Sequence, residues 1–152
     1  MRVAQIFTAV LALVSILISG QVAQAETVTW SPKTAKFSYS NTRAYYGCEY
    51  AQAQVKHYMN LIGARDVEVD CSGGLPDFNS LNLEVNFLAA VVTSDGVDAE
   101  WTPVVLKSRE SCEFNETIVR NLLKHFATRD NDTQSSCWNS EGSFTYEFET
   151  LK

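Results

Sequence analysis

Several features that mark common protein classes are scarce in this chain of 152 residues. It contains three prolines, seven glycines and two histidines, and its sequence has no GxSxG, HExxH or phosphate-binding glycine motif. With 11% aromatic residues and so few prolines and glycines, a collagen-like or disordered chain is excluded. No motif for a cofactor or a named catalytic reaction is present, so the sequence points to no particular enzyme class.

The first 25 residues have the pattern of a cleaved secretion signal. Arg2 precedes an apolar run over residues 3–18, and Ala23-Gln24-Ala25 forms a small-x-small cleavage site. Because the run is shorter than the roughly 20 residues that span a bilayer, a signal is favoured over a membrane anchor. We therefore predict a periplasmic or secreted protein, with residues 26–152 forming one domain that has no membrane anchor.

Acidic side chains outnumber basic ones in the predicted mature chain. Without Arg2, 18 acidic residues stand against 11 basic ones, which gives a net charge of −7. This charge disfavours binding to nucleic acid or to an anionic membrane surface. The expected partner is a protein or peptide of the envelope or the extracellular space.

All four cysteines belong to the predicted mature chain: Cys48, Cys71, Cys112 and Cys137. An even number in an oxidising compartment predicts two disulfides. No CxxC pair occurs, so neither a zinc site nor a thioredoxin-type redox site is indicated.

The chain resembles itself at an offset of 64 residues. Residues 48–66 and 112–130 share five identities, and the next cysteine follows after 23 residues in one segment and 25 in the other. The aligned identities are Cys48 with Cys112, Glu49 with Glu113, Val55 with Val119, Arg65 with Arg129 and Asp66 with Asp130. We therefore predict an internal duplication.

Hydrophobic periodicity predicts the same β-α-β-β order in both units, about 35–92 and 101–151. The first unit reads as strand 35–40, helix 48–63, strand 67–71 and strand 81–91, and the second as strand 101–107, helix 112–127, strand 134–138 and strand 144–148. The first helix carries an apolar stripe of Ala51, Val55, Tyr58, Met59 and Ile62. Polar residues at 72–77, 93–98 and 139–142 predict turns or connectors.

Two helices cannot cover both faces of such a sheet. We therefore predict an α+β two-layer sandwich, with duplicated β-α-β-β units and both helices on one face of a mainly antiparallel sheet. The β-α-β-β-α-β portion resembles the ferredoxin-like arrangement in topology. A fold of this kind implies no particular function.

The repeat also predicts which cysteines pair. In a right-handed β-α-β unit, the start of the helix and the end of the following strand lie at the same rim of the sheet. This geometry favours Cys48–Cys71 and Cys112–Cys137. In the ferredoxin-like order the two helix starts lie at opposite ends of the sheet, which disfavours crossed pairs.

Candidate catalytic and metal-binding groups are few. His57 and His125 each lie on a predicted helix without a ligand at the third or fourth following position, so surface or partly buried histidines are favoured over a general base or a metal pair. Asp66, Glu68 and Asp70 could hold calcium, but a solvated strand face is favoured. Turn chemistry is favoured over calcium binding for 95–98 and 130–132, because neither has the closing glutamate of an EF-hand.

Aromatic residues gather where helices start and strands end. Tyr45 and Tyr46 precede the first helix, and Trp138 follows Cys137 directly. Tyrosine and tryptophan are favoured in binding surfaces, although such rings equally serve as core or disulfide-shielding residues.

These observations favour a non-catalytic secreted or periplasmic module that binds a protein, a peptide or an envelope component. The alternative is a small periplasmic hydrolase or metal-ion-binding enzyme that uses His57 or His125 with a nearby carboxylate. An enzyme inhibitor would share the features of the binding module.

Overall fold

The computed structural model describes residues 25–74, 80–138 and 141–152. Except for Ala25, the predicted signal sequence lies outside the described residues. The same holds for positions 75–77 of the first predicted turn and for 139–140 of the last.

The described residues form six strands and two helices. In chain order they are β1 (Ala25–Ser40), α1 (Cys48–Ile62), β2 (Arg65–Gly73), β3 (Ser80–Val92), β4 (Val97–Ser108), α2 (Cys112–Leu123), β5 (Thr128–Ser135) and β6 (Phe144–Leu151). We call the elements from β1 to β3 the first half and those from β4 to β6 the second half.

The strands form one antiparallel sheet in the order β2-β3-β1-β4-β6-β5. In each half, the second strand lies at the edge of the sheet, the third strand lies next to it, and the first strand lies at the centre. The prediction of an α+β protein with helices on an antiparallel sheet is confirmed.

The two halves join through a short pairing of β1 with β4. Residues 28–40 of β1 pair with β3, whereas only residues 25–28 pair with β4. Val28 lies at the junction, between Val92 and Val97. The central pair of strands, β1 and β4, therefore shares fewer paired residues than any other two neighbouring strands.

One face of the sheet, which we call the helix face, carries the main core. The predicted stripe on α1, from Ala51 to Ile62, is buried in full, and α2 buries Phe114, Ile118, Val119 and Leu122. These side chains share one cluster with alternate residues of β3, β4 and β6. Because burial of apolar surface is the dominant favourable term in folding, this shared core is expected to contribute most to stability.

The opposite face, which we call the open face, is not uniformly wet. At its centre a second, smaller apolar cluster contains Val28, Ala90, Ala99 and Leu151. Trp30 and Trp101 pack against this cluster. The predicted alternation of polar and apolar residues therefore inverts near the start of β1, where Val28 and Trp30 point away from the helices.

The two disulfides pair as predicted. Cys48 bonds to Cys71 and Cys112 bonds to Cys137, with Cα atoms 5.6 and 5.4 Å apart. Each bond joins the start of a helix to the strand or hairpin that follows it. The described residues contain no free cysteine.

The expectation that the two helix starts lie at opposite ends of the sheet is wrong. Tyr46, just before α1, stacks on Phe114 in the first turn of α2, with ring centroids 4.2 Å apart. Tyr39, at the end of β1, meets the same Phe114 ring edge-on at 4.9 Å. Since β1 and β4 are antiparallel and run away from each other beyond their four paired residues, these contacts require the sheet to curve toward the helix face.

Several element ends differ from prediction. β1 and β4 begin earlier than predicted because their first residues pair with each other. Helix α2 ends at Leu123 instead of Ala127, since His125 and Phe126 donate i→i−3 bonds in a tighter turn. That turn stacks Phe126 on Phe87, with centroids 5.3 Å apart.

Residues 130–132, predicted as a turn, lie instead within the edge strand β5. The register of β5 shifts between Arg129 and Asp132, and that of β2 shifts between Arg65 and Glu68. Asp66 and Asp130 have φ values of 51° and 53° at these two irregularities. Aspartate tolerates the left-handed region better than most residues, which suits it to a bulge.

Candidate functional site

Tyr46 lies in the interior of the rim where the helices start. Besides stacking on Phe114, it stacks on Tyr50 at 5.4 Å and meets Tyr39 at 5.8 Å. These rings join the first turn of each helix to the end of β1. The contacts of Tyr46 are those of a packing residue.

Tyr45 points outward from the same rim and is 46% exposed. Its hydroxyl donates a hydrogen bond to the carbonyl of Thr42 at 2.9 Å. An open hollow of about 540 Å³ lies nearby, lined by Ser40, Asn41, Thr42 and Ser80. Asn41 is already engaged, because its amide donates to Glu113 and to the hydroxyl of Tyr39.

Trp138 is the most exposed large apolar residue in the described part of the chain, at 72%. Its backbone forms two hydrogen bonds of 3.0 Å with Glu141, which close a hairpin tip between β5 and β6. The preceding residue, Cys137, is bonded to the start of α2. The backbone that carries the indole is therefore held from both sides.

Hairpin register places the indole on the open face. Gln134 pairs with Thr145, Ser136 bonds to Ser143 at 2.9 Å, and Trp138 pairs with Glu141, so the three pairs are in step. Side chains alternate between faces along such a ladder. Cys137 therefore points to the helix face, where it meets Cys112, and Trp138 points the opposite way.

A hollow of about 220 Å³ lies on the same hairpin. It is lined by Gln134, Ser135, Ser136, Ser143 and Thr145, none of which carries a charge. Ser135 and Ser136 make hydrogen bonds with the backbone of their own hairpin. Within the described ranges, neither the carboxamide of Gln134 nor the hydroxyl of Thr145 has a hydrogen-bond partner.

The first half has a different hollow on its open face, with a volume of about 440 Å³. Lys36 pairs with Glu84 at 2.7 Å, and Ser38 donates to Asn82 at 2.7 Å across its floor. Asp70 and Ser72 complete its rim. Its main polar groups therefore satisfy one another.

The structure does not place either histidine beside a carboxylate in the described residues. His57 is exposed, and its ring meets the edge of Tyr58 at 5.3 Å. His125 is partly buried against Phe87 at 5.9 Å. Burial lowers the pKa of His125, and Lys33 and Lys124 lower it further. The neutral imidazole is favoured there.

The predicted acidic cluster is solvated. Asp66, Glu68 and Asp70 are all exposed, and the bulge at Asp66 breaks their alternation along β2. Across residues 25–74, 80–138 and 141–152, no three His, Cys, Asp or Glu side chains are grouped so that they could hold a metal ion.

A buried acidic group that the sequence did not reveal lies on α2. Glu116 is 9% exposed and accepts a hydrogen bond from the hydroxyl of Tyr146 at 3.1 Å. Arg120 donates to that hydroxyl at 3.0 Å and forms an ion pair with Glu116 at 3.3 Å. Burial raises the pKa of Tyr146, and the hydrogen bond to Tyr146 raises the pKa of Arg120. The three groups satisfy one another and join α2 to β6.

Two residues of the hairpin hollow, Gln134 and Thr145, were also missed. The alternation of side chains back from Trp138 along β5 is the signal that could have found Gln134. Thr145 required the β5–β6 register as well.

Comparison of the chain with protein-family models, with curated proteins and with solved structures finds no match. No helix among the described residues has the length and apolarity needed to cross a membrane.

Proposed function

We propose that the protein is a secreted or periplasmic, non-catalytic module that binds a protein, a peptide or another envelope component. The observation that carries this proposal is the 72% exposed indole of Trp138 on a hairpin held by a disulfide. When a ligand covers such a ring, a large apolar surface is removed from contact with water, which favours binding. Because the backbone of Trp138 is already held by its hydrogen bonds to Glu141 and by the neighbouring disulfide, little backbone entropy is lost on binding.

Tyr45 is the second contact residue of this proposal, since its ring is 46% exposed. Tyr46, the next residue, anchors this segment through its stack on Phe114. Cys112 connects the two parts, because it is bonded to Cys137 and lies two residues before Phe114.

The test is affinity capture from the native envelope fraction with the intact protein as bait. A Trp138→Ala variant should bind the captured ligand about thirtyfold more weakly, as expected when an interface tryptophan is truncated. Val105→Ala is the matched control, since Val105 is 52% exposed on the open face but belongs to β4. Equal retention of the ligand by the parent and Trp138→Ala would contradict the proposal.

The enzyme alternative has less support. Neither histidine has a hydrogen bond or ion pair with a carboxylate in the described part of the chain. In the same binding assay, His57→Ala and His125→Ala should behave like the parent. If either folded variant lost the protein's biological activity a hundredfold with unchanged stability, the enzyme would be favoured, because a loss of this size is expected when a general base is removed.

Two disulfides fit an oxidising compartment. We propose that residues 1–25 are a secretion signal and that the exported protein begins near Glu26. N-terminal sequencing of protein from the envelope fraction checks this.

We also propose that the halves are duplicates of one β-α-β-β unit with ferredoxin-like character. In each half, an antiparallel strand lies between the two strands that a helix connects, which is a split β-α-β arrangement. The equivalent disulfides and the equivalent bulges at Asp66 and Asp130 support this proposal.

A further inference from the structure

We infer that Trp138 and the adjoining hollow on the second half bind a neutral polysaccharide. This inference rests on the proposed binding function and names the chemical class of the ligand. It begins with the placement of the indole and the hollow on the same face of one hairpin, which follows from the register of the three cross-strand pairs.

The hollow has the chemistry of a sugar-binding surface. Its lining consists of four hydroxyl residues and one carboxamide, groups that both donate and accept hydrogen bonds. Sugar hydroxyls have the same dual capacity. Gln134 and Thr145 lack partners among the described residues, so both are available to a ligand.

The indole supplies the apolar part of such a site. Sugar rings present C–H groups on one face, and these pack against the π-face of an aromatic ring through dispersion and weak C–H contacts. A rigid tryptophan beside a few polar groups is therefore suited to a ring that is apolar on its face and polar on its edge.

Charge argues for a neutral ligand. The lining is uncharged, and its charged neighbours on the same face are mostly acidic: Glu141 at the hairpin tip and Glu147 with its cross-strand partner Asp132, against one lysine, Lys107, which pairs with Thr145 from β4. These carboxylates repel anionic polymers, whereas they accept hydrogen bonds from neutral hydroxyls. A cationic peptide would find no ion-pairing group within the hollow itself.

The hollow on the first half is an internal contrast. It is lined by charged groups, Lys36 and Glu84, which pair with each other, and Asp70, and no exposed large aromatic residue lines it. The second half alone combines an exposed indole with unpaired hydroxyl and amide groups in the described chain.

The experiment measures retention of the full protein on insoluble cellulose, chitin and (1→3)-β-glucan, with alginate beads as the acidic polymer. We expect retention on at least one neutral polymer and none on alginate. Trp138→Ala should weaken retention at least about tenfold, and Gln134→Ala with Thr145→Val should weaken it several-fold. Thr133→Val is the matched control, because Thr133 is exposed on the same strand but lies outside the hollow.

Tryptophan fluorescence provides a second readout. Stacking of the polymer's soluble oligosaccharide on Trp138 should shift the emission to shorter wavelength and protect it from acrylamide, and Trp138→Phe should abolish both changes. Circular dichroism confirms that each variant is folded.

Failure of every neutral polymer to bind, or undiminished retention in Trp138→Ala, would overturn the inference. Stronger retention on alginate would do the same. If a protein ligand is captured in a Trp138-dependent way while no polysaccharide binds, the inference fails and the proposed binding function stands. If nothing depends on Trp138, both fail.

Discussion

Each half of the molecule contains an arginine stacked on a tryptophan on the open face, but only in the second half do carboxylates of the described residues contact the arginine and the indole. The guanidinium carbon of Arg65 lies 3.6 Å from the ring centroid of Trp30, and that of Arg129 lies 4.5 Å from Trp101. Each arginine follows its helix and reaches across one strand to a tryptophan on the first strand of its half.

In the second half, the stack is part of a larger polar network. Arg129 forms an ion pair with Glu149, its cross-strand partner, and the indole N–H of Trp101 lies 3.5 Å from a carboxylate oxygen of Glu26. In the first half, the partner of Arg65 is Leu88. The indole nitrogen of Trp30 is buried and has no acceptor in the described residues.

The comparison indicates which features are scaffold and which can vary. Both halves keep a helix-start disulfide, a bulge with an aspartate at positive φ, and an arginine over a tryptophan. They differ in the polar groups of the open face, both around the stack and in the hollows. Such differences are expected because the residues that carry function can vary on a surface while the residues that stabilise the fold are kept.

Removal of one disulfide should have the largest effect on stability. The loops closed by the two bonds are similar, with separations of 23 and 25 residues, so each contributes about 3 kcal/mol through the unfolded chain. Cys112 is fully buried, and its replacement also leaves a void in the core. The pair Cys112→Ala/Cys137→Ala should therefore lower the free energy of unfolding by about 4 kcal/mol, against about 3 kcal/mol for Cys48→Ala/Cys71→Ala.

Urea denaturation of the two double variants measures this difference. The Cys112→Ala/Cys137→Ala variant also releases the hairpin of Trp138, so it alone should reduce ligand binding in the folded state. A larger stability loss from Cys48→Ala/Cys71→Ala than from Cys112→Ala/Cys137→Ala would contradict the assignment of Cys112 to the shared core.

The arginine stacks should show a smaller difference. Arg65→Ala removes a cation–π contact worth about 0.5–1 kcal/mol. Arg129→Ala removes a similar contact and the ion pair with Glu149, so its loss should reach about 1–2 kcal/mol. Thermal or urea unfolding measures both variants, with the exposed Lys107→Ala on β4 as a charge-matched control.

Salt separates the two contributions, because 1 M salt screens the ion pair more than the stack. The gap between Arg129→Ala and Arg65→Ala should narrow at high salt. In addition, Leu88→Glu should give Arg65 the carboxylate that Arg129 has, with a coupling energy of about 0.5 kcal/mol in a double-mutant cycle. An unchanged gap at high salt would show that the ion pair is not its source.

Local patterns were predictable from the sequence, and long-range geometry was not. The buried stripe of α1 and both cysteine pairs follow from helical periodicity and from the geometry of a β-α-β unit. The meeting of Tyr46 with Phe114 depends on the bend of the sheet at a four-residue junction, which no local pattern encodes.

The candidate site was predictable in part for the same reason. Trp138 is conspicuous in the sequence as an aromatic residue beside a cysteine. Thr145 can be assigned to the site only from the pairing of β5 with β6, which places it opposite Gln134. Tyr46 has the same residue type as Tyr45, and their different exposures arise from tertiary packing.

The smallest expected effect concerns the two helices, which place their histidines differently. His57 on α1 is exposed, whereas His125, just beyond α2, lies against Phe87 of the other half. Burial, with Lys33 and Lys124, lowers the pKa of His125 below its ordinary value of 6.5. The unfolded chain therefore binds this proton more readily than the folded one. The contribution of neutral His125 to the free energy of unfolding is fully present above pH 6.5 and is lost as the pH falls through the folded pKa.

Urea midpoints at pH 7.5, 6.5 and 5.5 test this direction. His125→Gln should lose less stability on acidification than the parent, because it lacks the titrating group. All other ionisable groups are common to the two proteins, so the difference between them reports His125. If the parent and His125→Gln have the same pH slope, protonation of His125 does not weaken the contact between the halves.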